Sequence, residues 1–189
     1  MRTGDSVSVL VVDDEPDVAE MYADYLATDG GFEPVVAAGG EAAIERLDET
    51  VDVVLLDRRM PGLSGDEVLR HLRNVGYDCA VGMVTAVAPD ADVVDLPFDL
   101  YLVKPVDYEE LVAATRTLAR VRSYEDAVRE EFTLARKCAL LRDHLPESEL
   151  ADSPAYDRLR ERYESVAAET DAVVDEMDVV DVRRTLARI

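Results

Sequence analysis

The sequence predicts an α/β fold, a doubly wound, five-stranded parallel sheet, followed by an all-α helical hairpin. Three observations carry this. Short apolar runs alternate with amphipathic stretches from Val7 to about Val106, the pattern of a parallel sheet covered on both faces. Conspicuous polar residues end four of those runs, at the edge of the sheet where ligands sit in this architecture. After Val106 the rhythm becomes continuously helical.

The apolar runs are V-S-V-L-V-V (Val7 to Val12), F-E-P-V-V-A (Phe32 to Ala37), V-D-V-V-L-L (Val51 to Leu56), A-V-G-M-V-T (Ala80 to Thr85) and L-Y-L-V (Leu100 to Val103). Between them Val18, Met21, Tyr22, Tyr25 and Leu26 recur at helical spacing, as do Ala43, Ile44 and Leu47, and later Val68, Leu69 and Leu72. Gly30-Gly31, Gly39-Gly40 and Gly76 punctuate the joins. From Tyr108 to about His144 neither Gly nor Pro interrupts a helix whose apolar stripe runs through Leu118, Val121, Val128, Phe132, Ala135 and Ala139. The stretch P-E-S-E-L-A-D-S-P, Pro146 to Pro154, reads as a turn. Beyond it Tyr156, Leu159, Tyr163, Val166, Thr170, Val173, Met177 and Val180 form a heptad seam with Thr170 as its polar member. A short loop between two such helices predicts an antiparallel hairpin. Val182, Leu186 and Ile189 would add a short third helix. The expected domains are residues 1–120 and 121–189.

Composition narrows the function. Forty-two acidic residues against twenty basic ones give a formal net charge of −22, with two lysines and eighteen arginines. That excess disfavours nonspecific binding to nucleic acid or an anionic membrane, and it self-repels unless salt screens it. It points to a high-salt cytoplasm. No apolar stretch approaches a membrane span, and the start M-R-T-G-D-S lacks a secretory pattern. Cys79 and Cys138 stand far apart and read as small core residues in a reducing compartment.

The polar strand ends hold the chemistry. Asp13 and Asp14 end the first run, Asp57 the third, Thr85 the fourth and Lys104 the fifth. Carboxylates converging in one pocket repel and call for a cation, and hard oxygen ligands suit Mg²⁺, which usually serves a phosphate. Lys104 supplies a fixed positive charge, and Thr85 a hydroxyl for a phosphoryl oxygen. A carboxylate relieved of repulsion can itself attack phosphorus. Taken singly, Asp13 also reads as a helix N-cap before Pro16, Asp57 as a turn residue, Thr85 as a strand former and Tyr101 as core.

The fragments V-L-V-V-D-D-E-P, L-L-D-R-R-M-P-G-L-S-G, V-T-A and Y-L-V-K-P resemble the receiver domain of two-component response regulators, the CheY-like variant of the flavodoxin fold, over residues 5–120. The resemblance implies that Asp57 accepts phosphate from a sensor histidine kinase. It implies Mg²⁺ held by Asp14, Asp57 and the backbone carbonyl of Arg59, with Asp13 acting mainly through water. It makes Thr85 and Tyr101 the switch pair, adds the Ala86 backbone N–H to the phosphate site, and makes Lys104 the phosphate partner before a cis Pro105. The segment from Thr85 to Tyr101 departs from the family: it is short, carries Pro89 and Pro97, and predicts a short or irregular fourth helix.

The segment S-Y-E-D-A-V-R-E-E-F-T-L-A-R-K-C-A-L-L-R with the later S-P-A-Y-D-R-L resembles the HalX domain found after receivers in haloarchaeal regulators. Residues 108–189 carry a net charge of −6 and no helix-turn-helix or zinc motif. A hairpin that contacts a downstream protein or the transcription machinery is therefore preferred to one that reads DNA, and a homodimer through the heptad seam is compatible with it. Two rivals concern the receiver half. A Mg²⁺-dependent phosphohydrolase with an aspartate nucleophile usually places that group on the first strand. A vestigial scaffold would not need the intact Asp13, Asp14, Asp57, Thr85 and Lys104 set.

Overall fold

The computed structural model describes residues 6–89 and 93–176. Five strands, β1 (Val7–Asp13), β2 (Phe32–Ala38), β3 (Val53–Leu56), β4 (Ala80–Thr85) and β5 (Leu100–Val103), form one sheet in the order β2-β1-β3-β4-β5. Every pairing is parallel. The connecting helices are α1 (Pro16–Asp29), α2 (Gly40–Arg46) and α3 (Gly65–Val75); α4 (Tyr108–His144), α5 (Glu147–Ala151) and α6 (Pro154–Glu176) follow β5.

Period-two alternation divides the strands between two cores. Val9, Val11, Val53 and Leu55 face α1 and the start of α4, where Ala19, Leu26, Leu111 and Leu118 are buried. Leu10, Val12, Val54 and Leu56 face α2 and α3, burying Ala43, Val68, Leu69 and Leu72. Strands covered on both sides must be apolar throughout, which explains why β3 and β4 are buried end to end. β3 begins two residues later than the apolar run, and the preceding Asp52 accepts the Ser8 N–H on its carboxylate at 2.9 Å.

Helix α3 shows how the loops are fixed. The Glu67 carboxylate takes both the Ser64 N–H (3.0 Å) and the Ser64 hydroxyl (2.6 Å) at its N-terminus. Gly76 ends it at φ 88°, a left-handed conformation that glycine adopts without strain.

Between β4 and β5 the described residues contain no α-helix. Val93, Leu96 and Phe98 pack against the α3-side core instead. Arg73 of α3 ties this segment down, donating to the Pro97 carbonyl (3.1 Å), the Cys79 carbonyl (2.7 Å) and the Asp99 carboxylate (3.0 Å).

The chain divides into two compact units, with the join at Arg122 and Ser123 inside α4. In the second, the Arg142 Nε donates to the Tyr156 hydroxyl at 2.8 Å and Arg162 pairs with Glu130 at 2.9 Å. Contacts that descend one helix while climbing the other are those of an antiparallel hairpin. The expected turn at Pro146–Pro154 holds a short helix, α5, because Leu150 folds in to be buried. The buried face of α4 in this unit also differs from the expected stripe. Leu134 and Cys138 are buried, whereas Val128 and Phe132 are exposed, the Phe132 ring lying 5.7 Å from the Arg136 guanidinium. Thr170 is buried as the seam's polar member, its hydroxyl donating to the Val166 carbonyl at 3.0 Å. The seam positions Met177 and Val180, and the short helix through Val182, Leu186 and Ile189, lie outside the described residues, as does the Val173 side chain.

Candidate functional site

The ladder carries the polar residues to one edge. Asp13 is the last residue of β1. Asp57 and Lys104 each lie one residue past their strand and continue its pairing, Asp57 N–H to the Val12 carbonyl (2.9 Å) and Lys104 N–H to the Thr85 carbonyl (2.8 Å). A fixed parallel register therefore places Asp13, Asp57, Thr85 and Lys104 together.

Lys104 is the centre of the cluster. Its Nζ lies 2.6 Å from Asp13 Oδ2 and 3.2 Å from Asp57 Oδ1. Asp13, Asp57 and Thr85 are all buried. The other Asp13 oxygen accepts the Glu15 N–H at 3.0 Å, and Asp57 Oδ2 accepts the Arg59 N–H at 3.0 Å.

Electrostatics follow from burial and pairing. Burial is the largest influence on Asp57 and raises its pKa; Lys104 and Thr85 hold it back, while Asp13 adds to the rise. Burial alone would lower the Lys104 ammonium, but its bond to Asp13 and the nearby Asp57 charge outweigh that, and its pKa is raised. Asp57 is thus a carboxylate held at some cost beside a cation, a state suited to a nucleophile.

The expected convergence of three carboxylates is only partly realised. Asp13 and Asp57 share Lys104, but Asp14 is exposed at the same edge. Among the described residues no three His, Cys, Asp or Glu side chains are grouped closely enough to form a metal cluster. The physical reason is that two buried carboxylates need a cation between them, and Lys104 provides it. The donor set is nonetheless all hard oxygen, which fits Mg²⁺ and not a softer ion.

The other predicted residues fall around this core. Arg59 and Ala86 are exposed beside Asp57 and Thr85, and the Lys104–Pro105 peptide bond is cis. Tyr101 is buried, and its hydroxyl donates to the Val87 carbonyl at 2.7 Å. Thr85 Oγ1 accepts the Val87 N–H at 3.4 Å, so Tyr101 and Thr85 meet on one backbone unit.

Three residues escaped the sequence reading. Val87 is the shared partner just described. Gly65, the first residue of α3, lies so close to Asp57 that a Cβ there would sit 2.1 Å from the Asp57 carbonyl oxygen. Its N–H donates to the Arg58 carbonyl at 2.9 Å. Tyr22 of α1 is buried, and burial raises its pKa, with the charges of Lys104 and Asp13 acting on it in opposite directions. The spacing of Gly65 from Asp57 is the one signal that was open to a reader of the chain.

Comparison with known proteins agrees with this geometry. Residues 9–116 match the model of the response regulator receiver domain, and residues 120–186 that of the HalX domain. A Haloferax volcanii protein whose name describes a transcriptional regulator is 48% identical over 167 residues, 88% of this chain and 28% of that protein. The transcriptional regulatory protein CpxR of Escherichia coli is 36% identical over 59% of this chain and 49% of its own length. The chain thus spans half or less of these relatives. Among solved structures, the response regulator TrrA of Thermotoga maritima in complex with Mg²⁺-BeF is 33% identical, with a TM-score of 0.51 over 59% of this chain and 98% of that one.

Proposed function

The chain belongs to the response regulators of two-component systems, a receiver domain followed by a HalX domain, and from that premise we propose that Asp57 accepts a phosphoryl group from a sensor histidine kinase. The observation that carries the proposal is Lys104 Nζ, 2.6 Å from Asp13 and 3.2 Å from Asp57, at the carboxyl edge of a parallel sheet.

In this reading an Asp57 carboxylate oxygen attacks phosphorus. A P–O bond forms, the P–N bond to the kinase histidine breaks, and the imidazole nitrogen leaves with the bonding pair. Lys104 faces the transferred group with a fixed positive charge, and Thr85 offers its hydroxyl to a phosphoryl oxygen. Arg59 N–H holds the second Asp57 oxygen in place, and the exposed Ala86 N–H is open to the phosphate. Mg²⁺ would be held by Asp14, Asp57 and the Arg59 backbone carbonyl, with Asp13 acting through water, and when bound it neutralises phosphoryl charge. Thr85 and Tyr101 then report the change through Val87. The protein is a switch without turnover of its own.

The output runs through the C-terminal helices, from a join near residue 120, to a protein partner in gene regulation inside the cytoplasm. DNA reading is disfavoured because Arg160 and Arg162 are paired with Glu164 and Glu130.

Mass spectrometry after treatment with a small phosphodonor and Mg²⁺ in molar salt tests the acceptor. The expected result is one labile phosphate on the wild type, none on Asp57→Asn, and none when a chelator removes the metal. Folded wild-type protein that gains no phosphate would overturn the proposal.

A further inference from the structure

Arg58 directly follows the proposed acceptor, yet it is buried, with a relative exposure of 8%. An arginine goes inside only when its charge is met. Asp66, in the first turn of α3, meets it along a fork: Nε lies 3.1 Å from Oδ1 and 3.3 Å from Oδ2, and Nη2 lies 3.3 Å from Oδ2. An ion pair withdrawn from water in this way adds little net stability, and apolar side chains of similar volume often serve a fold as well. The fork calls for a reason other than stability.

The backbone supplies one. The peptide unit after Arg58 is a rigid plane, with the Arg58 carbonyl at one end and the Arg59 N–H at the other. The carbonyl accepts the Gly65 N–H at 2.9 Å, and the Arg59 N–H donates to Asp57 Oδ2 at 3.0 Å. Turning that plane would break both bonds at once. Arg58 thus grips two successive residues at the start of α3, Gly65 through its carbonyl and Asp66 through its guanidinium. The approach is close because Gly65 has no side chain; a Cβ there would lie 2.9 Å from Arg58 Cα. The helix behind it is a firm anchor, capped by Ser64 and Glu67 and buried at Val68, Leu69 and Leu72. With Oδ2 taken by the Arg59 N–H, the Asp57 oxygen that faces Lys104 is Oδ1, 3.2 Å from Nζ.

We propose that Arg58, forked by Asp66, is a positioning residue: it fixes the 58–59 peptide plane against α3 and so sets which Asp57 oxygen faces Lys104. The consequence for phosphoryl transfer rests on the reading of Asp57 as phosphoacceptor, since Oδ1 is then the oxygen placed to attack phosphorus. The fixing of the plane does not depend on that reading.

The test is amide hydrogen exchange by NMR on the full chain, in molar salt, without phosphodonor. The Arg59 amide is compared with the Asp57 amide, whose 2.9 Å bond to the Val12 carbonyl belongs to the strand ladder. In Arg58→Met the Arg59 amide should exchange about ten-fold faster while the Asp57 amide is unchanged. Arg58→Lys, which keeps the charge but loses the fork, should fall between. Asp66→Asn gives a second route should Arg58→Met fail to fold, and should loosen the Arg59 amide in the same direction. An Arg59 amide that exchanges as in the wild type, or that quickens only in step with Asp57, overturns the proposal. Phosphate uptake, followed by mass on the same variants, should slow by about ten-fold; unslowed uptake beside a loosened Arg59 amide also overturns it. Wild-type protein that takes no phosphate defeats the acceptor reading alone, and the exchange comparison still decides whether Arg58 holds the plane.

Discussion

The strand-end pocket and the C-terminal helices place charge in opposite ways. In the pocket, Lys104 and Asp13, 91 residues apart in the chain, meet at 2.6 Å with little solvent between them. In the helices, Arg160 pairs with Glu164 one turn away, and Arg162 with Glu130, all largely exposed. The cores differ too. The sheet buries residues on both faces, whereas the described part of the second unit buries Leu134, Cys138, Leu150, Val166 and Thr170. Chemistry that needs buried, converging charge is confined to a few positions. A solvated hairpin satisfies its packing with many sequences, so its residues say less about its partner.

Breaking the pocket should give the largest effect. Lys104→Ala removes the positive charge 3.2 Å from Asp57, and on the proposed function phosphate uptake should slow by about 100-fold, measured as a mass-spectrometric time course with folding checked by circular dichroism. A rate within a few-fold of wild type would separate Lys104 from the chemistry. Gly65→Ala acts on the same site through sterics: its Cβ meets the Asp57 carbonyl oxygen, and overpacking of this kind costs about 1–3 kcal/mol, so uptake and melting temperature should fall together.

The cores come next. Leu69 is fully buried, and Leu69→Ala should cost about 3 kcal/mol in denaturant titration. Leu134 at the thinner hairpin core is 8% exposed, and Leu134→Ala should cost nearer the lower end, about 2 kcal/mol. Equal losses would mean that the hairpin is as well packed as the sheet.

What could be read from the chain follows the same division. The strands were legible because burial on both faces demands continuous apolar runs, and the site because a parallel register brings run-ending polar residues to one edge. Arg58 was not, since an arginine in D-R-R-M-P reads as solvated until Asp66 is seen beside it. The α4 stripe failed at Val128 and Phe132 because large apolar residues on a solvated helix do not announce which face is covered. Leu134 and Cys138 make a narrow seam that side-chain size obscures. The clamp by Arg73 on Pro97, Cys79 and Asp99 is made of three hydrogen bonds that leave no periodic signal.

A smaller effect concerns pH. Because burial raises the Asp57 pKa in the folded protein, its ionised form weighs against folding at any pH above that raised value. The penalty fades as pH falls and is absent below the ordinary carboxylate value of 3.8. Asp57→Asn should therefore melt higher than wild type near neutral pH, in chelator and without phosphodonor, with the advantage disappearing on acidification. An advantage independent of pH would assign it to something other than the charge.

The smallest effect is the most direct test of the contrast between the regions. In molar salt the screening length falls to about 3 Å, so exposed pairs should lose their coupling while buried ones keep it. Double-mutant cycles on Arg162 and Glu130, read by melting in dilute and molar salt, should show a slight coupling that vanishes with salt. The same cycle on Lys104 and Asp13 should persist, since little solvent reaches between them. For a chain with a net charge of −22 this matters directly: salt strong enough to silence repulsion across its surface leaves the pocket's electrostatics in force. Loss of both couplings in molar salt would mean that the pocket is open to solvent, and its raised carboxyl pKa would have to be explained without burial.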